Sequence, residues 1–399
     1  MSVVAPTIRA DGRVAFVLAT HNRRDVLLDT LSQLRGLQAE TGRCEVFVVD
    51  NASGDGTPAA VRARFPEVQM ISLRQNRGAC AKALGAQRAR SEFVVFLDDD
   101  SRPRPGSVSR MVKRFEADAR LGAASFVVHL PDGRCECSAL PNVPIGCAVG
   151  FRREALETVG GLDGSLFMAA EEYDLAFRLV RAGWRSATFP DLHADHLKAP
   201  QGRASARLVY LDTRNNLLLA ARYLPGTLEG IFLADWRERY RWLAEAAGHR
   251  RAWWTARLAA ALRRRPERAR FGRWRLDAAS VEYLFRFDFV RRHMAELAAS
   301  GVRTVILADL GKNIYPFVLS AAREGICVAC VADDRFAGRD RAYRGIAVRT
   351  VADALRTPAD AIVVSNTSPV HAAATGDRLA GLTSIRVHRW FGYDRALDE

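Results

Sequence analysis

Three consecutive carboxylates, Asp98-Asp99-Asp100, follow the apolar run Phe93-Val94-Val95-Phe96-Leu97 and precede Ser101. Adjacent carboxylates repel one another, and burying them unpaired is costly. A hard, oxygen-seeking divalent cation, Mg²⁺ or Mn²⁺, relieves that repulsion by taking one or two carboxylates together with phosphate oxygens. The competing reading is a solvated acidic loop. The seven cysteines (Cys44, Cys80, Cys135, Cys137, Cys147, Cys327 and Cys330) are odd in number and scattered, and frame no disulfide pattern. Cys327 and Cys330 have the spacing of a redox pair, but they lie in a strand-like run that points them to opposite faces. The Cys135-x-Cys137 pair has no second ligand pair at zinc spacing.

The acids need a strand end to present them, and the first hundred residues supply it. Phe93–Leu97 is an unalternated apolar run, the pattern of a strand buried on both faces of a parallel sheet. Val14–Thr20, Cys44–Asp50 and Val68–Leu73 read as three further strands. Helices fall between them: Val26, Leu27, Leu31 and Leu34 recur at helical spacing. Thr57-Pro58 suits the first positions of the next helix, after the turn formers Asn51–Gly56. Another helix starts at Asn76-Arg77-Gly78. Polar residues gather where the strands end, which predicts a doubly wound α/β domain with a ligand crevice at its carboxyl edge.

These pieces, taken in order, resemble family 2 glycosyltransferases of the GT-A fold. The motifs are strand-Thr20-x-Asn22-Arg23, strand-Val49-Asp50-Asn51-x-Ser53-x-Asp55-Gly56-Thr57, Asn76-x-Gly78 and strand-Asp98-Asp99-Asp100. Gly160-Gly161-Leu162-Asp163 then precedes Glu171-Glu172-Tyr173-Asp174-Leu175-x-x-Arg178, similar to the family's Glu-Asp-x-Asp-Leu-x-x-Arg block. Gly183-Trp184-Arg185 leads to Pro190–His196, where the family has a strand ending in His. Tyr210–Leu219, with Arg214-Asn215-Asn216, is similar to the Arg-Asn helix of rhamnosyltransferase-like members. The likeness covers roughly residues 12–225.

The resemblance implies a nucleotide-sugar donor in the crevice. Thr20, Asn22, Arg23 and Asn76 would lie beside it, with Asp50 at the base or ribose and Asp55 nearby. Asp98 and Asp99 would also contact the donor. Asp98 and Asp100 match the family's Asp-x-Asp signature, and Mg²⁺ or Mn²⁺ on Asp98, Asp100 and His196 would bridge the two phosphates; His193 is the second choice of histidine. An inverting transfer needs a base to take the acceptor's proton. The family places it at the second acid of its block, here Glu172 in place of the commoner Asp, with Glu171 as the other candidate. Against this, both acids suit a helix start, and Asp174 with Arg178 suits a structural ion pair. The stretch Phe126–Pro144 reads as a variable loop at the acceptor pocket.

The 399 residues exceed one ordinary core. The expected division is a glycosyltransferase domain over 1–227, a helical connector over 228–300 and a second, smaller Rossmann-like α/β domain over 301–399. That last part carries strands at Thr304–Asp309, Cys327–Asp333, Ile346–Arg349, Ala361–Asn366 and Ile385–Trp390. It lacks the Gly-x-Gly-x-x-Gly fingerprint after its first strand, although Asp333 and Asp334 stand where a ribose-binding acid would. The net charge of +14 concentrates in the stretch 228–276, where thirteen arginines face five acids and five tryptophans join them. Basic amphipathic helices with tryptophan lie on anionic membranes; a connector with a solvated arginine face is the alternative. No nucleic-acid-binding motif is present, so no nucleic-acid partner is expected. No apolar run is long enough to span a membrane, and Met1–Pro6 does not have the order of a signal peptide. The expected location is the cytoplasm, with peripheral contact at the inner face of the membrane. The sequence thus reads as an inverting, metal-dependent glycosyltransferase of polysaccharide or glycoconjugate synthesis, with a lipid-linked or glycan acceptor. The rival readings are a nucleotidyltransferase and a non-catalytic sugar-nucleotide-binding subunit.

Overall fold

A computed structural model describes residues 12–198 and 205–392. The amino-terminal stretch Met1–Pro6 lies outside the described residues. The chain divides into two units: residues 1–136 with 142–275, and residues 276–399 with 137–141.

The first unit opens with β1 (Val14–Thr20), α1 (Arg24–Thr41), β2 (Glu45–Asp50), α2 (Thr57–Arg64) and β3 (Gln69–Ser72). A 3-10 turn (Gly78–Ala81), α3 (Lys82–Ala86) and β4 (Phe93–Asp98) follow. The four strands are parallel in the order β3-β2-β1-β4. β4 is buried from Phe93 to Leu97, as its unbroken apolar run requires. The parallel register aligns Ala19 with Asp98 and Thr20 with Asp50. The polar residues that end β1, β2 and β4 therefore share one edge.

Beyond β4 the sheet turns mixed. β5 (Ser101–Pro103), α4 (Ser107–Ala117), β6 (Leu121–His129), β7 (Cys135–Glu136), β8 (Ala148–Arg152), α5 (Arg153–Val159), α6 (Glu171–Arg181) and β9 (Arg185–His196) complete it. Its order continues β4-β8-β6-β9-β5, with β8 antiparallel to both neighbours and β7 pairing outside on β6. The stretch 126–144 is accordingly not one loop, because β6 runs through its first residues and β7 through its middle. One sheet face packs α1 and α4 through Leu27, Leu31, Met111 and Phe115. The other packs α5 and α6 through Leu156, Val159, Leu175 and Leu179. This is the mixed α/β arrangement expected of a GT-A domain.

Three long helices close the unit: α7 (Ala206–Tyr223), α8 (Gly226–Ala246) and α9 (Arg250–Arg270). The sequence reading set a connector over 228–300. In the structure α8 and α9 belong with the first unit, whose last residue is Arg275. The reason is burial: Phe232, Trp236, Tyr240, Trp242 and Trp253 are core residues.

The second unit contains α10 (Ala278–Phe285), α11 (Phe287–Ala299), β10 (Thr304–Ala308), α12 (Tyr315–Arg323), β11 (Cys327–Ala332), β12 (Ala342–Tyr343), β13 (Ile346–Arg349), α13 (Val351–Ala354), β14 (Ala361–Val364), α14 (Pro369–Ala380) and β15 (Arg386–His388). Its sheet order is β12-β13-β11-β10-β14-β15, parallel except at β12. Cys327 is exposed and Cys330 buried, both as free thiols. Asp333 stands directly after β11. Its oxygens accept the backbone N–H groups of Leu310 (2.8 Å), Arg335 (2.9 Å) and Phe336 (3.2 Å), which ties the loops after β10 and β11 together.

Candidate active site

The carboxyl edge of β1 and β4 opens on a cavity of about 410 Å³. Thr20, Arg23, Asp98, Asp99, Asp100 and His196 line it, joined by Asn76, Lys82 and Arg207. Asp99 and Asp100 are buried and held from one side by Arg23, whose guanidinium donates to Asp99 (2.5 Å) and Asp100 (2.7 Å). The Thr20 hydroxyl donates to Asp99 at 2.8 Å. Burial outweighs Arg23 at Asp99 and raises its carboxyl to about 6. Burial also opposes the charge on Asp100, yet the hydrogen bonds from His196 and Arg23 hold that carboxyl well below its ordinary range. Asp98 accepts from the Lys82 ammonium at 2.6 Å. Lys82 is a buried lysine that also donates to the Gly146 carbonyl at 3.0 Å. Its burial opposes its charge, and Asp98 more than offsets that, leaving the pKa raised.

His196 ends β9 between two acids. Its Nε2 lies 3.2 Å from Asp100 and its Nδ1 lies 3.2 Å from Glu136. Burial works against the charged ring, but the contacts with Asp100 and Cys147 raise its pKa to about 10. One ligand atom each from Asp98, Asp100 and His196 falls within 4.8 Å of the others. Two carboxylates and an imidazole suit a hard or borderline divalent ion such as Mg²⁺ or Mn²⁺. The residues present therefore fit the expected metal. Glu136 on Nδ1 would leave Nε2 for the ion, the usual carboxylate–histidine arrangement. Glu136, Cys147 and His196 form a second such group. The sequence reading passed over Glu136 and Lys82. Neither stands in a recognisable motif, and both reach the site from other elements.

The acids Glu171 and Glu172 begin α6. Burial first, and then the charge of Glu172, push the Glu171 carboxyl well above its ordinary range; Lys82 and Asp98 also act on it. One Glu171 oxygen, Oε2, is buried with no hydrogen-bond partner among the described residues. The approach to α6 is unusual: Phe167, Ala169 and Ala170 all have φ of +67° to +70°, the left-handed region that costs side-chain-bearing residues about 1–2 kcal/mol each. Asn215 of α7 holds this segment. Its amide donates to the carbonyls of Leu166 (3.0 Å), Met168 (2.9 Å) and Ala169 (2.7 Å). Arg214 adds bonds to Ser165 (3.2 Å) and Leu166 (3.1 Å). From the other side, Gly78, at φ +65°, fits because a Cβ there would stand 2.3 Å from the Phe167 carbonyl oxygen.

Other expected residues hold the loops and do not line the cavity. Asn22, at φ +52°, accepts from the Gly54 N–H (2.7 Å), pinning the loop after β1 to the loop after β2. Asp55 accepts from Thr57 and from the Arg24 N–H, which fixes the starts of α2 and α1. Asp50 accepts from the Ser53 N–H at 3.2 Å, and its other oxygen is buried without a partner among the described residues. His193 lies 3.0 Å from His129, outside the Asp98–Asp100–His196 group. His21 and Asn51 line the cavity instead.

Asp174 is wholly buried and belongs to a different cluster. Its Oδ2 accepts twice from Arg178 (2.6 and 3.1 Å), and its Oδ1 accepts from Arg222 (2.6 Å) and the Tyr223 hydroxyl (2.5 Å). Arg222 also bridges Glu267 (2.6 Å) and Asp163 (2.9 Å).

The crevice at the parallel edge thus combines three aspartates and His196 with three basic side chains. Part of the chain matches a known family. Residues 15–136 match the model of glycosyl transferase family 2. The succinoglycan biosynthesis protein ExoO of Rhizobium meliloti is 36% identical over 132 residues, a match covering 32% of this chain and 37% of that protein. The N-acetylglucosaminyl-diphospho-decaprenol L-rhamnosyltransferase of Mycobacterium tuberculosis is 27% identical over 252 residues, covering 49% and 78%. Among solved structures, a mannosyltransferase of Pyrobaculum calidifontis in complex with GDP-Man and Mn²⁺ aligns with a TM-score of 0.46 at 23% identity, covering 70% of this chain and 91% of that one. Staphylococcus aureus TarS 1-349 aligns with a TM-score of 0.48 at 14% identity, covering 78% and 92%. Residues 15–136 thus carry a glycosyl transferase family 2 domain, and the chain spans only about a third of the length of the ExoO protein it matches.

Proposed function

We propose that the first unit transfers a sugar, with inversion, from a nucleotide-diphosphate donor to a hydroxyl of a glycan or lipid-linked acceptor. The observation that carries this reading is the convergence of Asp98, Asp100 and His196 on one point of a cavity that Arg23, Lys82 and Arg207 also line. A divalent cation on those three residues would supply positive charge to the departing diphosphate. The basic side chains add to that charge, and Thr20 and Arg23 fix Asp99 so that the acidic edge stays in place. The acceptor oxygen bonds to the anomeric carbon as the carbon–oxygen bond to the diphosphate breaks, its electrons leaving with the nucleoside diphosphate. The acceptor's proton passes to a carboxylate of the Glu171–Glu172 pair. The unpartnered Oε2 supports Glu171 for this role, and the family pattern supports Glu172. Relatives named for succinoglycan synthesis, decaprenol-linked rhamnosyl transfer and poly-β-1,6-N-acetyl-D-glucosamine synthesis support a polysaccharide or lipid-linked acceptor. Seven free cysteines suit the reducing cytoplasm. Among the described residues no helix is long and apolar enough to cross a membrane.

The test is thermal unfolding with GDP, UDP and dTDP, each with and without Mn²⁺. A ligand that binds the native state raises the melting temperature. The reading expects one nucleotide to stabilise the protein only with Mn²⁺, and Asp100→Ala to abolish the shift. No shift with any diphosphate, or an equal shift in the variant, would overturn it. Glu171→Gln and Glu172→Gln should keep the shift, and whichever removes sugar transfer identifies the base.

A further inference from the structure

Six large hydrophobic side chains are exposed among the described residues, and three of them, Trp254, Leu258 and Leu262, stand on α9 at 50%, 61% and 73% exposure. Their spacing of four residues puts them on one face, which Arg251 and Arg265 extend at either end. The opposite face, with Trp253, Ala256, Ala260 and Glu267, is the buried one. The ridge therefore points away from the core by construction and is not left over from loose packing. Arg257 lies over the Trp254 ring at 4.2 Å. Beside the ridge runs a cavity of about 450 Å³, walled by apolar residues of α7, α8 and α9 and rimmed by Arg237, Arg257 and Arg264.

The exposed charge on α9 has one sign, although Arg264 of the cavity rim pairs with the buried Glu229 of α8. Glu267 is the only acid of α9, and it is buried against Arg222 and Arg263. A protein partner is met by a polar rim of mixed character. An apolar ridge with tryptophan, whose exposed charges on the same helix are all arginines, matches an anionic lipid surface, where long basic stems reach the headgroups while the apolar groups enter the acyl boundary. We infer that α9 docks the protein on an anionic bilayer through Trp254, Leu258 and Leu262, with Arg251, Arg257 and Arg265 at the headgroups. This inference is independent of the donor site.

Sedimentation with vesicles of phosphatidylcholine alone, and with vesicles containing phosphatidylglycerol, tests it on the full chain. The wild type should bind the phosphatidylglycerol vesicles preferentially and lose binding as salt rises. Leu258→Ser with Leu262→Ser should weaken that binding about tenfold or more. Arg251→Glu with Arg265→Glu should abolish the preference for phosphatidylglycerol. All four positions are exposed, so melting temperatures and the Mn²⁺-nucleotide shift should stay at the wild-type values. Equal binding to both vesicles, or to neither, overturns the inference. So does a double-leucine variant that binds like the wild type. A wild-type dimer that the leucine changes dissociate would make the ridge a contact between copies, and duplex DNA binding that the arginine changes abolish and the leucine changes spare would make it a polyanion site. Either result overturns the bilayer.

Discussion

Asp174 and Asp100 are both buried aspartates held by arginine, and they differ in what else surrounds them. Asp174 meets only donors: Arg178, Arg222 and Tyr223 take both of its oxygens, and the neighbouring acids Asp163 and Glu267 share Arg222. Asp100 meets Arg23 and His196 but has Asp98 and Asp99 beside it and a cavity in front of it. The first cluster is closed and electrostatically balanced. The second pairs Asp98, Asp99 and Asp100 with Lys82, Arg23 and His196, but it opens on a cavity that a ligand can enter. Two acids of similar burial thus separate into a structural role and a chemical one by their surroundings.

Breaking the closed cluster should cost the most. Asp174→Ala leaves Arg178 and Arg222 buried without their shared anion, a loss of about 3–5 kcal/mol. Chemical denaturation would read it. A loss under about 1 kcal/mol would mean that the network is not balanced as described. Asp100→Asn should reverse the pattern. Arg23 keeps Asp99 and His196 keeps Glu136, so stability should fall less than in Asp174→Ala. Transfer should fall by about 10²–10³, the scale of losing one charge-stabilising group. If both variants lost stability equally, the distinction between the clusters would collapse.

A smaller effect tests how the two clusters are joined. Asn215 pins the left-handed segment that delivers Glu171 and Glu172. Asn215→Ala leaves the Met168 and Ala169 carbonyls short of a donor, while Leu166 keeps Arg214, and should cost about 1–3 kcal/mol. It should also lower kcat more than KM changes, because the strained segment can relax. An unchanged kcat would mean that the segment keeps its form without the amide.

These contrasts show what could be read from the chain. The strands read at Val14–Thr20, Cys44–Asp50 and Phe93–Leu97 were legible because unbroken apolar runs bounded by polar ends specify buried parallel strands. The acidic edge followed from where those runs stop. The left-handed segment was not legible: Leu166-Phe167-Met168-Ala169-Ala170 contains no glycine, asparagine or proline to announce it. Its conformation is imposed by Asn215, some 45 residues later. Glu267 was hidden for a similar reason. Within an arginine-rich run it reads as a solvated charge, and only the fold brings Arg222 to it. Lys82 likewise looks like an ordinary helix residue until Asp98 is placed beside its ammonium.

The subtlest test of the closed cluster is its response to acid. Burial works to raise the Asp163 carboxyl, yet Ser165 and Arg222 outweigh it and leave the pKa below the ordinary value. A carboxyl depressed in the folded state binds protons more weakly there than in the unfolded chain, whose reference value is about 3.9. Its contribution is therefore fully present above about pH 4 and fades as the pH falls through the lower folded value. Asp163→Asn removes this titration. The variant should be less stable than the wild type at neutral pH, and the gap should narrow as unfolding is measured at successively lower pH below 4. A gap that stays constant across that range would assign the Asp163 contribution to hydrogen bonding with Ser165 rather than to charge held by Arg222.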